Sequence, residues 1–336
     1  MLFKDFIQAI GKGQRSGRTL TREESYQAMS MLLAGEATPE QRGAFLMLLR
    51  VREETAQEIA GFLDACREHT VSSFANIKVD LDLGCYAGKR RHLPWVILSA
   101  LCLAQQGCRI VFHGSQEPDT KRLYVSEALE KLGCVRATTA QQLNRQIDTL
   151  GFGCVDLATV NPELDSLIQL RAQFGLRSCA NTLARMLNPL NASASLQGVY
   201  HKHLDEKHGK VAQILKEPRV ICFRGDAGEV EYNPERTCML HSVCAGEYTT
   251  SEIPALNHQW VTKPRALDVG LLKQLWLAPS QQYPETHPLE YYGQSAVIGT
   301  LALMLMVTQQ LDWVSGYKEA RSLWLGRKKQ WPSFTY

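Results

Sequence analysis

The chain has 336 residues, 45% of them hydrophobic, with 37 basic against 34 acidic side chains and a net charge of +3. That content supports a sizeable core and excludes a disordered or fibrous chain, and the near balance of charge excludes nucleic-acid affinity from bulk charge alone. Ten cysteines without a C-x-x-C pair argue against a zinc ribbon or thioredoxin-type site; they fit reduced, buried thiols in a cytoplasmic protein, with Cys85 the expected exception.

Residues 1–70 read as helical throughout. Apolar spacing recurs in Phe3, Phe6, Ile7 and Ile10, then in Met29, Leu32 and Leu33. Thr21 with Glu24 three residues on signals a capping box, Gly35 is a plausible stop, and Thr38-Pro39 opens a third helix. No long apolar run follows the opening Met-Leu-Phe-Lys-Asp-Phe, so no secretory leader is expected.

From residue 79 the pattern changes. An alternating strand at 79–83 enters a turn punctuated by Gly84 and Gly88, a nearly all-apolar helix occupies 95–104, and a second strand follows at 108–113. In such a βαβ unit the loop leaving the strand's carboxyl end lies at the usual ligand crevice. Here it carries Lys89, Arg90 and Arg91 in a row, which favours a polyanion; the plain alternative is a solvated turn. The run is no P-loop, because three residues separate the glycines and Arg90 follows Lys89. Tyr86 and Trp95 bracket the cations in a way compatible with base stacking, although a tryptophan in an apolar run is more often core.

A helix is expected at 121–132, helical texture returns at 161–187, and a strand is expected at 219–224. Between them His201-Lys202-His203 leads into a segment that, if helical, places His203, Lys207 and Lys210 on one face and Leu204, Val211 and Leu215 on another. Either a functional basic face or an ordinary amphipathic helix accounts for it. The apolar run 296–307 is too short for a bilayer and reads as a buried helix, so no membrane association is expected. The alternation implies an α/β protein with a separate all-α domain and a mainly parallel sheet covered by helices. The expected division is 1–73 plus about 161–187 for the helical part and 74–160 plus about 188–336 for the α/β part.

Several motifs, in order, resemble anthranilate phosphoribosyltransferase over essentially the whole chain. They are Lys78-Val-Asp-Leu-Asp-Leu-Gly84, Phe112-His113-Gly114-Ser115, Glu127-Ala-Leu-Glu-Lys-Leu-Gly133, Arg171-Ala-Gln-Phe-Gly175-Leu-Arg177, Asn188-Pro189 and Gln197-Gly198-Val199-Tyr200. The resemblance implies a nucleoside phosphorylase/phosphoribosyltransferase-like fold of glycosyltransferase family 3, with a small helical dimerisation domain and the substrate cleft between domains. A residual anion or phosphate site would then comprise Gly84, Gly88, His113, Ser115 and Arg171, although a packed histidine and a structural arginine ion pair are the plainer readings of His113 and Arg171.

The chain departs from that family where its chemistry resides. The family's Gly-Thr-Gly-Gly-Asp loop becomes Gly84-Cys85-Tyr86-Ala87-Gly88, and its Lys-His-Gly-Asn becomes Phe112-His113-Gly114-Ser115. Its magnesium-holding Asp-Glu pair falls on Val230-Glu231, leaving one carboxylate. Phosphoribosyl pyrophosphate and magnesium are therefore not expected as cofactors, and no catalytic residue or metal ligand is assigned. A subgroup of relatives with this pattern binds nucleic acid and lacks transferase activity. Resemblance to it implies a homodimer binding single- or double-stranded DNA, and RNA by extension, with little sequence preference. Lys89, Arg90, Arg91, Lys202, Lys207 and Lys210 are the expected phosphate contacts. The alternatives are a divergent phosphoribosyl or glycosyl transferase with an unidentified acceptor, and a protein-interaction module.

Overall fold

The structure is a computed structural model and describes residues 1–13, 16–117, 121–258, 260–261, 266–279 and 288–334. Four helices open the chain: α1 (Phe3–Gly11), α2 (Arg22–Leu33), α3 (Pro39–Arg52) and α4 (Ala56–Glu68). The last three begin alike. Thr21, Thr38 and Thr55 each accept a hydrogen bond from the backbone N–H three residues on, and the side chains of Glu24, Gln41 and Glu58 accept one from the threonine N–H in return. Each reciprocal cap satisfies two helix-end groups at once. Behind these caps Phe45 meets Phe3 and Phe62 edge-on, with ring centroids 5.3 and 6.1 Å apart.

The α/β part follows as β1 (Leu81–Cys85), α5 (Val96–Ala104), β2 (Ile110–Gly114), α6 (Val125–Lys131), α7 (Ala140–Leu150) and β3 (Phe152–Asp156). Four short helices come next: α8 (Leu157–Val160), α9 (Pro162–Gln169), α10 (Arg171–Phe174) and α11 (Ala180–Met186). The chain then returns to the sheet through β4 (Ala194–Val199), α12 (Leu204–Ile214), β5 (Arg219–Arg224), β6 (Cys238–Cys244) and β7 (Glu247–Ile253), and ends in α13 (Gly270–Leu277), α14 (Pro288–Gln309) and α15 (Trp313–Gly326).

The strands lie in the order β3-β2-β1-β4-β5-β6-β7. Pairings from β3 through β5 are parallel, and β6 and β7 add antiparallel to that edge. This is the expected class: a helical N-terminal domain joined to an α/β domain with a mostly parallel sheet. The order reverses between β1 and β4, which opens a crevice at their carboxyl ends.

Two apolar clusters hold the layers together. One covers a sheet face with α5, α13, α14 and α15; the other joins α1–α4 to residues of α7, α8, α9 and α11. The apolar run at 296–307 is part of α14, whose 22 residues are long and apolar enough by composition to cross a membrane; 78% of its apolar window is nevertheless buried inside the protein. The register of β1 also corrects the expected loop. Pairing begins at Leu81 opposite Ile110 and runs to Cys85 opposite Gly114, so Gly84 and Cys85 are strand residues. Cys85 is therefore buried, with its thiol pushed well up by desolvation, and the exposed cysteine is Cys244.

Candidate functional site: a self-neutralised ionic cluster with a cationic rim

The segments leaving β1, β4 and β5 converge at the crevice. After β1 the chain passes through Gly88, at φ +69°, and Lys89 forms a two-residue bridge with Leu123, each backbone N–H donating to the other's carbonyl at 2.8 Å. In this extended geometry successive side chains point to opposite sides. Lys89 turns inward and is fully buried, whereas Arg90 and Arg91 are exposed. Its ammonium donates to Asp226 Oδ2 and to Glu231 Oε1, both at 2.6 Å. Lys89 is thus no nucleic-acid contact, contrary to the expectation for the basic run. Two carboxylates convert its cost of burial into a structural tie.

The carboxylates come from the turn after β5. Residues Asp226–Gly228 form a 3-10 turn, after which the backbone carbonyl of Glu229 lies against Gly225 and Gly198, where a Cβ would collide with it. That close approach needs glycine and fixes where Glu229 enters the crevice. Its Oε1 accepts from the N–H of Ala87 at 2.7 Å and from the N–H of Gly88. The loop amides that resemblance assigns to phosphate are capped by a side chain of the protein itself. Glu231 Oε2 accepts from the N–H of Val96 at 2.8 Å, Asp226 Oδ1 from Asn233 at 3.0 Å, and His92 Nδ1 lies 3.2 Å from Asp226 Oδ2 while its ring stacks on Tyr292.

Burial and charge oppose one another across this cluster. Desolvation pulls the Lys89 ammonium down, but Asp226 and Glu231 more than reverse it and hold the proton firmly. Desolvation would likewise raise Asp226, yet Lys89 and His92 keep its carboxyl far below the usual range. Glu231 goes the other way: burial first, and repulsion from Asp226, push it up to about 7 against the pull of Lys89.

Phosphoribosyl pyrophosphate with magnesium does not fit these residues. An ammonium already lies between the carboxylates that would face a metal, and a carboxylate already covers the amides that would face a phosphate. Among the described residues no group of three or more His, Cys, Asp or Glu is placed to hold a metal ion. The expected single carboxylate is corrected as well, since Asp226 and Glu229 join Glu231.

The remaining members of the expected anion site are engaged in structure. Gly84 lies in β1 over the backbone of Arg185. His113 is buried, with Nδ1 2.7 Å from the Tyr86 hydroxyl and Nε2 3.1 Å from Asp82 Oδ1. Ser115 donates to Asp165 at 2.5 Å and accepts from Gln169 at 3.2 Å. Arg171 pairs with Glu117, which also accepts from Arg177 at 2.8 and 2.9 Å. Tyr86 and Trp95 are 2% and 1% exposed and cannot stack on a base.

Around the closed cluster runs a cationic rim. Arg122 donates to the Ala87 carbonyl at 2.5 Å; burial, then Arg90 and Arg177, lower its pKa. Desolvation, then Arg177 and Arg90, lower Arg171 likewise, so these guanidiniums lie within one another's fields. After β4, exposed Lys202 and His203 line two adjoining grooves of about 250 and 470 Å³. The smaller is also lined by exposed Arg224 and Arg236, which sequence reading missed because each stands alone in its segment. Expected partners on α12 are less available. Lys210 is paired with Glu206 at 2.6 Å, half-buried Lys207 lies 3.7 Å from Glu53, and His203 sits at φ +69° as the N-cap.

A mostly parallel sheet with a crevice at its switch point, joined through one apolar cluster to an N-terminal helical bundle, defines the class of scaffold. The comparisons identify which. Residues 4–70 match the helical bundle domain of a glycosyl transferase family, and residues 96–264 match that family's a/b domain. The chain belongs to this glycosyl transferase family. Anthranilate phosphoribosyltransferase of Symbiobacterium thermophilum is 29% identical over 66% of this chain and 65% of its own length. The uncharacterized protein YbiB of Escherichia coli is 27% identical over 72% of this chain and 77% of its own. In structure, anthranilate phosphoribosyltransferase from Thermus thermophilus superposes with a TM-score of 0.75 at 20% identity, covering 96% of this chain and 94% of that one. The Saccharomyces cerevisiae enzyme in complex with PRPP and Mg gives 0.73 at 15% identity, over 96% and 92%. At these identities the superpositions establish the fold.

Proposed function

We propose that this chain uses the phosphoribosyltransferase scaffold to bind nucleic acid through phosphate contacts, without phosphoribosyl transfer. One observation carries the reading: the phosphate and metal positions are filled from within by Glu229 and Lys89, while Arg90, Arg91, Lys202, Arg224 and Arg236 face solvent around them. Exposed guanidiniums release counterions from a phosphate backbone without reading bases, so binding would be salt-dependent and weakly selective. A homodimer is part of the proposal. Leu2 and Val51 in the helical segment are 62% and 85% exposed, and two rims on one particle would add avidity.

A second reading, a divergent phosphoribosyl or glycosyl transferase, draws more direct support from the comparisons, because its relatives include anthranilate phosphoribosyltransferases. Titration of single- and double-stranded DNA at two salt concentrations, beside titration of phosphoribosyl pyrophosphate with magnesium, separates the two. DNA binding that weakens with salt and no response to the sugar phosphate support the first. Pyrophosphate release above a buffer control, with anthranilate or another acceptor, establishes the second.

A further inference from the structure

We propose that the groove lined by Lys202, Arg224 and Arg236 is a receptor for a phosphomonoester dianion, which the strand held by the rim presents as its terminal phosphate. The proposal rests on the nucleic-acid reading above and adds to it a preference for a phosphorylated strand end.

The sheet brings the three cations together from separate segments. Val199 pairs in parallel with Arg224, and Phe223 stands opposite Leu240 in the antiparallel pair β5–β6. Lys202 therefore follows β4, Arg224 ends β5 and Arg236 precedes β6, all at one end of the sheet. All three are exposed, and among the described residues none makes an ion pair. Two carboxylates also line this groove of about 250 Å³, but both have partners. Glu206 is paired with Lys210 at 2.6 Å, and Asp205 is buried with Oδ2 3.6 Å from His241 Nε2. Even with His241 neutral, three unpaired cations against Asp205 leave the groove two excess positive charges.

That charge fits a terminal phosphate better than one within a strand. A phosphate monoester carries about −1.5 to −2 at pH 7 and three acceptor oxygens, whereas each backbone phosphate carries a single charge. Guanidiniums meet such oxygens bidentately, and exposed Thr237 adds a hydroxyl donor beside them. Shape gives the same answer. A phosphate inside a strand enters a groove with a sugar on either side, whereas a terminal one enters first and alone. The attached strand has a path onward, because the adjoining groove of about 470 Å³ shares Lys202 and His203 with this one and reaches exposed Arg50. No residue of the closed cluster around Lys89 lines either groove.

The test follows the fluorescence anisotropy of one short labelled single-stranded oligonucleotide at low salt, ended by a 5′-phosphate, by a 3′-phosphate or by hydroxyls only. Native protein should bind one phosphorylated form about five- to tenfold tighter than the hydroxyl form, the weight of one further charge-assisted contact. Arg224→Ala/Arg236→Ala should bring the two affinities together, while Arg90→Ala/Arg91→Ala should weaken both and keep their ratio. Calorimetric titration with adenosine monophosphate separates a free nucleotide from a strand end; the proposal expects it to bind more weakly than the phosphorylated strand. Equal, salt-dependent affinity for phosphate-ended and hydroxyl-ended strands overturns the proposal and leaves the nucleic-acid reading standing, and tight binding of adenosine monophosphate would then make the groove a nucleotide site instead. A preference that survives Arg224→Ala/Arg236→Ala, in a variant with native circular dichroism, overturns the assignment to this groove. Binding of no strand in any form overturns both the proposal and the reading beneath it.

Discussion

Lys89 and Arg90 are neighbours in the chain and opposites in the fold. Lys89 is wholly buried between two carboxylates, and Arg90 is exposed with no salt bridge among the described residues. The contrast shows how desolvation sorts like charges. An ion moved inside loses several kcal/mol of hydration that only close partners restore, so it becomes structure. An ion left outside keeps its water and can exchange it for a phosphate. The crevice is thus divided into a spent interior and an available rim, and a basic triplet is two different things.

Breaking the interior should have the largest effect. Lys89→Met leaves Asp226 and Glu231 buried without their counter-charge, and a loss of about 3–5 kcal/mol is expected from denaturant unfolding. Arg90→Ala with Arg91→Ala should stay within about 0.5 kcal/mol of native, as surface changes do. Equal losses in both would erase the division.

The helix α12 repeats the contrast on one element, with Lys210 outward and His208 buried beneath. Desolvation, then Arg185 and Lys207, push the His208 pKa down to about 3, so the folded protein holds it neutral, its Nδ1 2.9 Å from Gln197 Oε1. The unfolded chain takes up that proton near pH 6.5. The contribution of His208 is therefore complete above that pH and lost as pH falls toward 3. Glu231, raised to about 7, does the opposite: its contribution is present below its unfolded value of 4.5 and lost as pH rises through 7. The native profile mixes the two, and His208→Gln separates them. Relative to native, that variant should improve by about 1.4 kcal/mol for each pH unit below about 6.5. A constant difference from pH 7 to 5 would mean that His208 titrates normally.

A smaller effect is expected where interior meets rim. Glu117 is shared by Arg171 and Arg177, so Glu117→Gln should cost about 1–3 kcal/mol in stability while freeing two guanidiniums, and DNA affinity at low salt should rise. Unchanged affinity would remove these two arginines from the rim.

How much of this was legible beforehand depends on the range of the interaction. The caps at Thr21 and Thr38, the alternation of strand and helix, and the bounds of β5 are local signals and read correctly; Thr55 with Glu58 carries the same local signal without being among the expectations. The partners of Lys89 lie 137 and 142 residues further along the chain, and no periodicity links them. Glu229 was invisible for the same reason, since its role depends on the backbone touching Gly198 and Gly225. The β6–β7 hairpin did carry a local signal that went unused: Ala245-Gly246, both at positive φ, stand before the β-branched run Thr249-Thr250. Trp95 is buried against Gly293 of α14 and Tyr86 against His113 of β2, neighbours that a loop read in isolation does not contain.

The rim itself supplies the finest test. Had all three cations of the triplet released counterions, their loss would flatten the plot of log affinity against log salt by about 2.7; with Lys89 buried, Arg90→Ala/Arg91→Ala should flatten it by about 1.8. Lys202→Ala should remove about 0.9, whereas Lys207 and Lys210, already facing Glu53 and Glu206, should remove less apiece. Unrelated DNA sequences should weaken together, because contacts to phosphate position a strand without reading it. Circular dichroism and sedimentation must match native protein for the slopes to be compared; the proposed homodimer would sediment at about twice 37.7 kDa. A double variant with native affinity and slope would make Arg90 and Arg91 a solvated turn; the crevice would then be closed inside and idle outside, and the transferase reading would have to find its acceptor elsewhere on the molecule.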